Sequence, residues 1–299
     1  MRNLYKVAMA VSAFLALGSW KPAFSTPTDH FFTTSDGVKL HYLEEGRGPW
    51  LIFIPGWTMP ADIWEKQIRY FSEDCHVVAL DPRCQGESEI TGQGLNVLRR
   101  SQDIEELIQF LKAKNVALVG WSAGGTESLA YLKQYGARDL AALVLVDASP
   151  AVEPPAFLRA KREAFVRKME NNREKETGIF VRWMFAKPQP DAYYERIVQA
   201  SLKTPTSSAA ALLRDVNAFR WIPDPAHLDI PIYFIASDSY DPQGLWFKKQ
   251  IPWLQLTWFK GAGHALFVDA PDAFNDKVHD FLTSVAFFPH PKPLKGSIP

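Results

Sequence analysis

Apolar residues along this chain follow two alternating rhythms. Short continuous runs, at Trp50 to Ile54, His76 to Leu80, Val116 to Trp121, Leu140 to Val146, Ile232 to Ala236 and Leu254 to Phe259, predict strands. Between them, apolar positions recur at helical spacing. Examples are Ile63, Trp64, Ile68 and Phe71; Ile104, Leu107, Ile108 and Leu111; and Leu129, Leu132 and Tyr135. A short helix around Leu245 to Lys249 and a final one from Pro271 to Val285 complete the pattern. Unbroken apolarity marks strands covered on both faces, so the rhythm predicts an α/β fold with a parallel sheet between helices. The start of the chain differs: His30 to Thr34 and Val38 to Glu44, joined through Asp36-Gly37, read as an antiparallel hairpin. The expectation is a mostly parallel eight-stranded sheet with an antiparallel N-terminal hairpin.

One stretch breaks the alternation. Residues 149–228 hold helical patterns with charged faces, many aromatics and no strand, so they read as a helical insertion after the sixth strand. The sheet domain is then 26–148 together with 229–288, and the proline-rich 289–299 is expected to be a disordered tail. Residues 1–25 resemble a secretory signal peptide, with Arg2 and Lys6, an apolar run from Val7 to Gly18, and Ala23-Phe24-Ser25 before a mature start near Thr26. The run is too short for a permanent span, and no later segment is long and apolar enough for one. The expected location is secreted or periplasmic; the alternative is an uncleaved N-terminal anchor.

Charge narrows the partners. The 33 basic and 33 acidic residues cancel, which leaves no basic footprint for nucleic acid and points to a small-molecule partner. Cys75 and Cys84 flank a predicted strand whose extended length holds them too far apart for a disulfide. No Cys/His cluster has metal-ligand spacing.

The strand ending at Trp121 breaks into Ser122-Ala123-Gly124-Gly125 and then resumes at helical period. This sets Gly120-x-Ser122-x-Gly124 on a strand-to-helix turn. Such a turn forces the serine into a strained conformation at the strand's C-terminal edge, and small neighbours let the helix pack beneath it. The N–H of Ala123, at a helix N-terminus, is placed to meet developing negative charge.

Four motifs in order, Pro55-Gly56-Trp57, Asp81-Pro82-Arg83 with Gly86 and Ser88, Gly120 to Gly124, and Gly263-His264, resemble the α/β-hydrolase superfamily over nearly the whole chain after residue 25. The closest likeness is to its esterase, lactonase and non-haem haloperoxidase group, in which the insertion would be a helical cap. The resemblance implies Ser122 as nucleophile, His264 as general base and the N–H of Trp57 as second oxyanion donor beside that of Ala123. The family usually has His-Gly where Pro55-Gly56 stands and often histidine at Gln85; the backbone donor survives the first change, and the loop of the second reads as structural. For the triad acid, Asp147 at the end of the sixth strand is favoured over Asp241 and then Asp238, because the segment after Asp241 is shorter than the usual acid-bearing loop. Trp121, Trp183 and Phe185 are the candidates for lining the pocket. The implied activity is hydrolysis of a small, moderately apolar carboxylic ester or lactone through an acyl-enzyme, with no cofactor and no metal. The alternatives are a cofactor-free dioxygenase-like enzyme and a non-catalytic binding protein on the same scaffold.

Overall fold

The computed structural model describes residues 26–149, 155–221, 228–238 and 241–288; the expected signal segment and tail, and the side chain of Asp241, lie outside them. Its eight strands are β1 (Thr28–Thr33), β2 (Lys39–Gly46), β3 (Trp50–Ile54), β4 (His76–Leu80), β5 (Val116–Trp121), β6 (Leu140–Val146), β7 (Ile232–Ser237) and β8 (Gln255–Phe259). They form one sheet in the order β1-β2-β4-β3-β5-β6-β7-β8. β2 pairs antiparallel with β1 and with β4, and every other neighbour is parallel, as the sequence pattern predicted.

The helices are α1 (Glu65–Phe71), α2 (Val97–Phe110), α3 (Ala123–Tyr135), α4 (Ala156–Asn171), α5 (Arg173–Trp183), α6 (Asp191–Leu202), α7 (Thr206–Ala218), α8 (Asp241–Gln250), α9 (Leu266–Asp269) and α10 (Pro271–Ser284). α2 begins where Asn96 accepts a hydrogen bond from the Arg99 N–H at 2.8 Å, satisfying one of the donors a helix start leaves open. α8 starts four residues earlier than its apolar spacing suggested, so the connection after β7 is helical almost from the end of the strand.

The sheet's alternation explains its continuous runs. Leu51, Phe53, Val77, Ala79, Val119, Val144 and Ile235 face one layer with Ile68 of α1 and Phe274, Val278 and Phe281 of α10. Ile52, Ile54, Val78, Leu118, Leu145 and Phe234 face the other, against Ile104 and Leu107 of α2, Leu129 of α3 and Phe247 of α8. Each of the Val, Leu, Ile and Phe side chains among them, fully withdrawn from water, contributes on the order of 1.5–3 kcal/mol. Cys75 and Cys84 are both buried free thiols. Among the described residues no helix is long and apolar enough to cross a membrane.

Helices α4 to α7 lie between β6 and β7 and pack over the C-terminal ends of the strands. Several buried polar bonds tie them down. The Trp57 indole donates to the Ala209 carbonyl at 2.8 Å, Thr204 Oγ1 donates to the Cys84 carbonyl at 2.7 Å, and Thr58 and Ser201 share a hydroxyl bond at 2.7 Å. Asp269 accepts from the N–H groups of Gly263 and Ala186, both at 2.8 Å, and so joins the loop before α9 to the segment after α5.

Candidate active site

Ser122 sits between β5 and α3 at φ 56°, ψ −117°, a left-handed conformation that costs a non-glycine residue energy and is found at functional turns. Close packing on both sides holds it there. A Cβ on Gly120 would lie 2.5 Å from the Gly124 carbonyl oxygen, and one on Gly124 would lie 2.5 Å from the carbonyl oxygens of Ile54 and Pro55. These two glycines serve backbone approach, since the positive φ falls on the serine between them. The Ser122 N–H is anchored to the Val146 carbonyl of the neighbouring strand at 2.9 Å.

His264 reaches this serine from the loop between β8 and α9, with Nε2 2.9 Å from Ser122 Oγ. Its own backbone is pinned twice: the Trp121 indole donates to its carbonyl at 2.9 Å, and the next residue, Ala265, donates to the Met184 carbonyl at 2.8 Å. Nδ1 of the same ring lies 3.1 Å from Asp147 Oδ2. Asp147, fully buried, stands one residue past β6 at φ 45°. Its carboxylate accepts two bonds from Ser237 at the end of β7: the N–H to Oδ1 at 2.6 Å and the hydroxyl to Oδ2 at 2.6 Å. Adjacent parallel strands thus supply the carboxylate and the residue that orients it. Asp238, by contrast, is exposed and its carboxylate accepts from the Gly261 N–H at 2.9 Å. Asp241 is the first residue of α8, and its side chain is among those not described.

The backbone before α1 forms the other side of the site. Gln85 is fully buried and all four of its amide positions are used. Oε1 accepts from the Thr58 N–H at 3.0 Å and from Arg100 Nη2 at 2.6 Å, while Nε2 donates to the carbonyls of Gly56 at 3.0 Å and Met59 at 2.8 Å. A single side chain therefore brackets residues 56–59, the turn that carries the Trp57 N–H and in which Thr58 is held at φ 61°. Behind it, Arg100 Nη1 lies 3.0 Å from Glu127 Oε1 of α3, with both side chains buried. Burial pushes the Glu127 carboxyl up to about 7 against the pull of Arg100. Ala123 opens α3, so its N–H has no acceptor within the helix.

A cavity of about 470 Å³ opens above Ser122 and His264, a size suited to a small organic molecule. Trp57, Phe165, Phe180, Trp183, Leu213 and Val216 form most of its wall, and Ser149, Lys161, Arg162 and Asn217 supply polar groups. Trp57 is packed edge-on against Phe165 and Phe180 at 6.1 and 5.6 Å between ring centres. Trp183, half exposed, sits 5.4 Å from the His264 ring.

Two of the pocket candidates are corrected. Trp121 does not line the cavity. As the last residue of β5 it points with Val119 into the sheet's buried layer, edge-on to Trp64 and Phe267, and meets the site through its bond to the His264 carbonyl and a ring contact with the His264 imidazole at 5.3 Å between centres. Phe185 also turns away, packing edge-on against Tyr193 and Tyr194. Trp183 does line it. Sequence reasoning missed the bracket made by Gln85 and the support of Asp147 by Ser237, because both depend on strand ends far apart in sequence. It also missed Ile179 as a lining residue. The i, i+4 spacing of Ile179 and Trp183 on α5 was the available signal.

A family model described as the alpha/beta hydrolase family matches residues 51–277. A non-heme haloperoxidase from Rhodococcus erythropolis is 32% identical over 121 residues, which cover 40% of this chain and 44% of that protein. A bifunctional esterase/perhydrolase from Acinetobacter calcoaceticus is 32% identical over 123 residues, 40% of this chain and 45% of that one. The chain thus matches less than half the length of these curated relatives. In three dimensions it is similar to a bromoperoxidase from Bacillus anthracis, with a TM-score of 0.80, 21% identity, and coverage of 86% of this chain and 100% of that one. At that identity the likeness is one of fold.

Proposed function

The chain belongs to the alpha/beta hydrolase family, and from that premise we propose that it cleaves a small, moderately apolar carboxylic ester or lactone through an acyl-enzyme. One observation carries the reading: His264 lies within hydrogen-bond reach of Ser122 Oγ through Nε2 and of Asp147 Oδ2 through Nδ1, at the floor of a largely apolar cavity. A serine hydroxyl is a poor nucleophile until a base accepts its proton, and a base with a fixed tautomer does this best.

In this mechanism Ser122 Oγ attacks the ester carbonyl carbon while its proton passes to His264 Nε2. The carbonyl oxygen gains the charge and takes hydrogen bonds from the N–H groups of Trp57 and Ala123, donors already fixed before reaction. Asp147 stabilises the imidazolium, and His264 then returns the proton to the departing alcohol. Water, deprotonated by His264, attacks the acyl-Ser122 ester, and the acid leaves. For a lactone the alcohol remains tethered to the same acyl group. The relative whose name joins esterase to perhydrolase favours a second use of the acyl-enzyme, with hydrogen peroxide in place of water and a peracid as product.

The test is hydrolysis of 4-nitrophenyl acetate and butanoate by the mature protein and by Ser122→Ala. Turnover by the wild type and none above background by the variant is expected; equal rates would refute the assignment. Peracid formation from acetate and hydrogen peroxide tests the second use. We also propose export, checked by N-terminal sequencing of the extracytoplasmic protein, with a start near Thr26 expected.

A further inference from the structure

Arg173 opens α5, and its guanidinium lies over the face of the Trp57 indole, 5.1 Å from the ring centre. Nη2 donates to the Ser201 carbonyl at 3.0 Å and to Ser201 Oγ at 3.4 Å, and Nη1 donates to Met169 Sδ at 3.7 Å. Nε is buried with no partner. Among the described residues no carboxylate pairs with this cation, and burial alone brings it down to about 10, which leaves it charged at neutral pH. A cation in this place is unfavourable twice over. It is withdrawn from water without a counter-ion, and it stands at a helix N-terminus, whose dipole repels positive charge. The contact with the indole and the Ser201 carbonyl, in the last turn of α6, offset a part of this.

The same guanidinium holds two residues of the turn that carries the candidate oxyanion donor. It covers Trp57 directly, and Ser201, which it holds, shares a 2.7 Å hydroxyl bond with Thr58. Gln85 brackets residues 56–59 from the loop after β4, and Arg173 reaches the same turn from α5. We propose that Arg173 is a positioning residue for this turn, clamping Trp57 and, through Ser201, Thr58, and that its unneutralised charge favours the oxyanion over the ground state. The inference rests on the ester-hydrolase reading above. While the substrate carbonyl is neutral, the buried cation gains little from it. When that oxygen becomes negative beside the Trp57 N–H, the two charges attract across a medium that screens them weakly, and the gain belongs to the transition state. The unfavourable placement of the cation then has a function.

The test varies the charge at this position. Arg173→Met keeps an apolar stem and removes the cation, so kcat on 4-nitrophenyl butanoate is expected to fall about tenfold with KM within about threefold of wild type. Arg173→Lys, still charged, should recover kcat to within about threefold of wild type, whereas Arg173→Gln, a neutral donor, should stay near the methionine variant. A second readout is the affinity for butaneboronic acid, measured by calorimetry, since its tetrahedral adduct with an activated serine carries the charge of the transition state. That affinity should fall in the same order, by about tenfold in Arg173→Met. A kcat in Arg173→Met within about twofold of wild type, or equal kcat in the lysine and glutamine variants, overturns the proposal while leaving ester hydrolysis intact. If Arg173→Met does not fold, the comparison of lysine with glutamine decides alone. A wild type that neither cleaves esters nor binds the boronate more tightly than Ser122→Ala would instead refute the ester-hydrolase reading, and this inference with it.

Discussion

Replacing Gln85 by leucine removes the bracket around residues 56–59 while keeping a side chain of similar size. Four hydrogen bonds go at once: those to the Thr58 N–H, the Gly56 and Met59 carbonyls, and the Arg100 guanidinium. At about 1 kcal/mol for each neutral bond and about 2 for the charged one, less some recovery from the buried leucine, the fold should lose about 3–4 kcal/mol. The catalytic loss has a different origin. With Thr58 released from φ 61°, the turn no longer fixes the Trp57 N–H, and removal of one oxyanion donor costs about 10² to 10³ in kcat. Since Ala123 still donates, we expect kcat on 4-nitrophenyl butanoate to fall about 30- to 100-fold with KM changed less than about threefold. Gln85→Glu retains the acceptor half of the bracket and should lie between leucine and wild type in both stability and kcat. Urea unfolding gives the first quantity, and steady-state rates at a temperature where the variant is folded give the second. A folded Gln85→Leu whose kcat stays within about twofold of wild type would refute the link between this side chain and the oxyanion donor.

Three further outcomes are expected. Asp147→Asn should lower kcat by on the order of 10⁴-fold, whereas Asp238→Asn, whose carboxylate bonds to Gly261, should leave it within about threefold; similar rates for the two variants would remove Asp147 from the mechanism. Gly124→Ala puts a methyl 2.5 Å from the Ile54 and Pro55 carbonyl oxygens, so it should cost about 1–3 kcal/mol in a melting or denaturant experiment and depress kcat through the shifted oxyanion turn; an unperturbed variant would contradict the packing argument. Glu127 ionises near 4.5 when unfolded and near about 7 in the fold, so its contribution to stability is full below the first value and lost as pH rises through the second. The stability of wild type relative to Glu127→Gln should therefore fall between those pH values, and a pH-independent difference would rule this out.

The order of strands and helices was legible because it rests on local periodicity: the runs at 50–54, 76–80, 116–121 and 140–146 each needed only their own residues to declare a strand covered on both faces. The turn around Ser122 was equally local, its two glycines and serine being consecutive with the strand and helix they join. His264 came from a motif spacing rather than from any local physical signal. Where a side chain points at a strand end was not legible. Trp121 follows the alternation of β5 into the buried layer, and only the placement of Trp64 and Phe267 across from it decides that it supports His264 instead of lining the cavity. The partner of His264 was likewise a tertiary matter: Asp147 and Asp238 close neighbouring parallel strands, and the register of β6 against β7 brings Ser237 to the first carboxylate while the second turns to Gly261. Gln85 shows the limit most clearly. Its four partners come from two separate places in the chain, the turn at 56–59 and Arg100 of α2. A hydrogen-bond bracket of that kind leaves no periodic trace in a sequence, because its geometry exists only once β3, β4 and α2 are packed together.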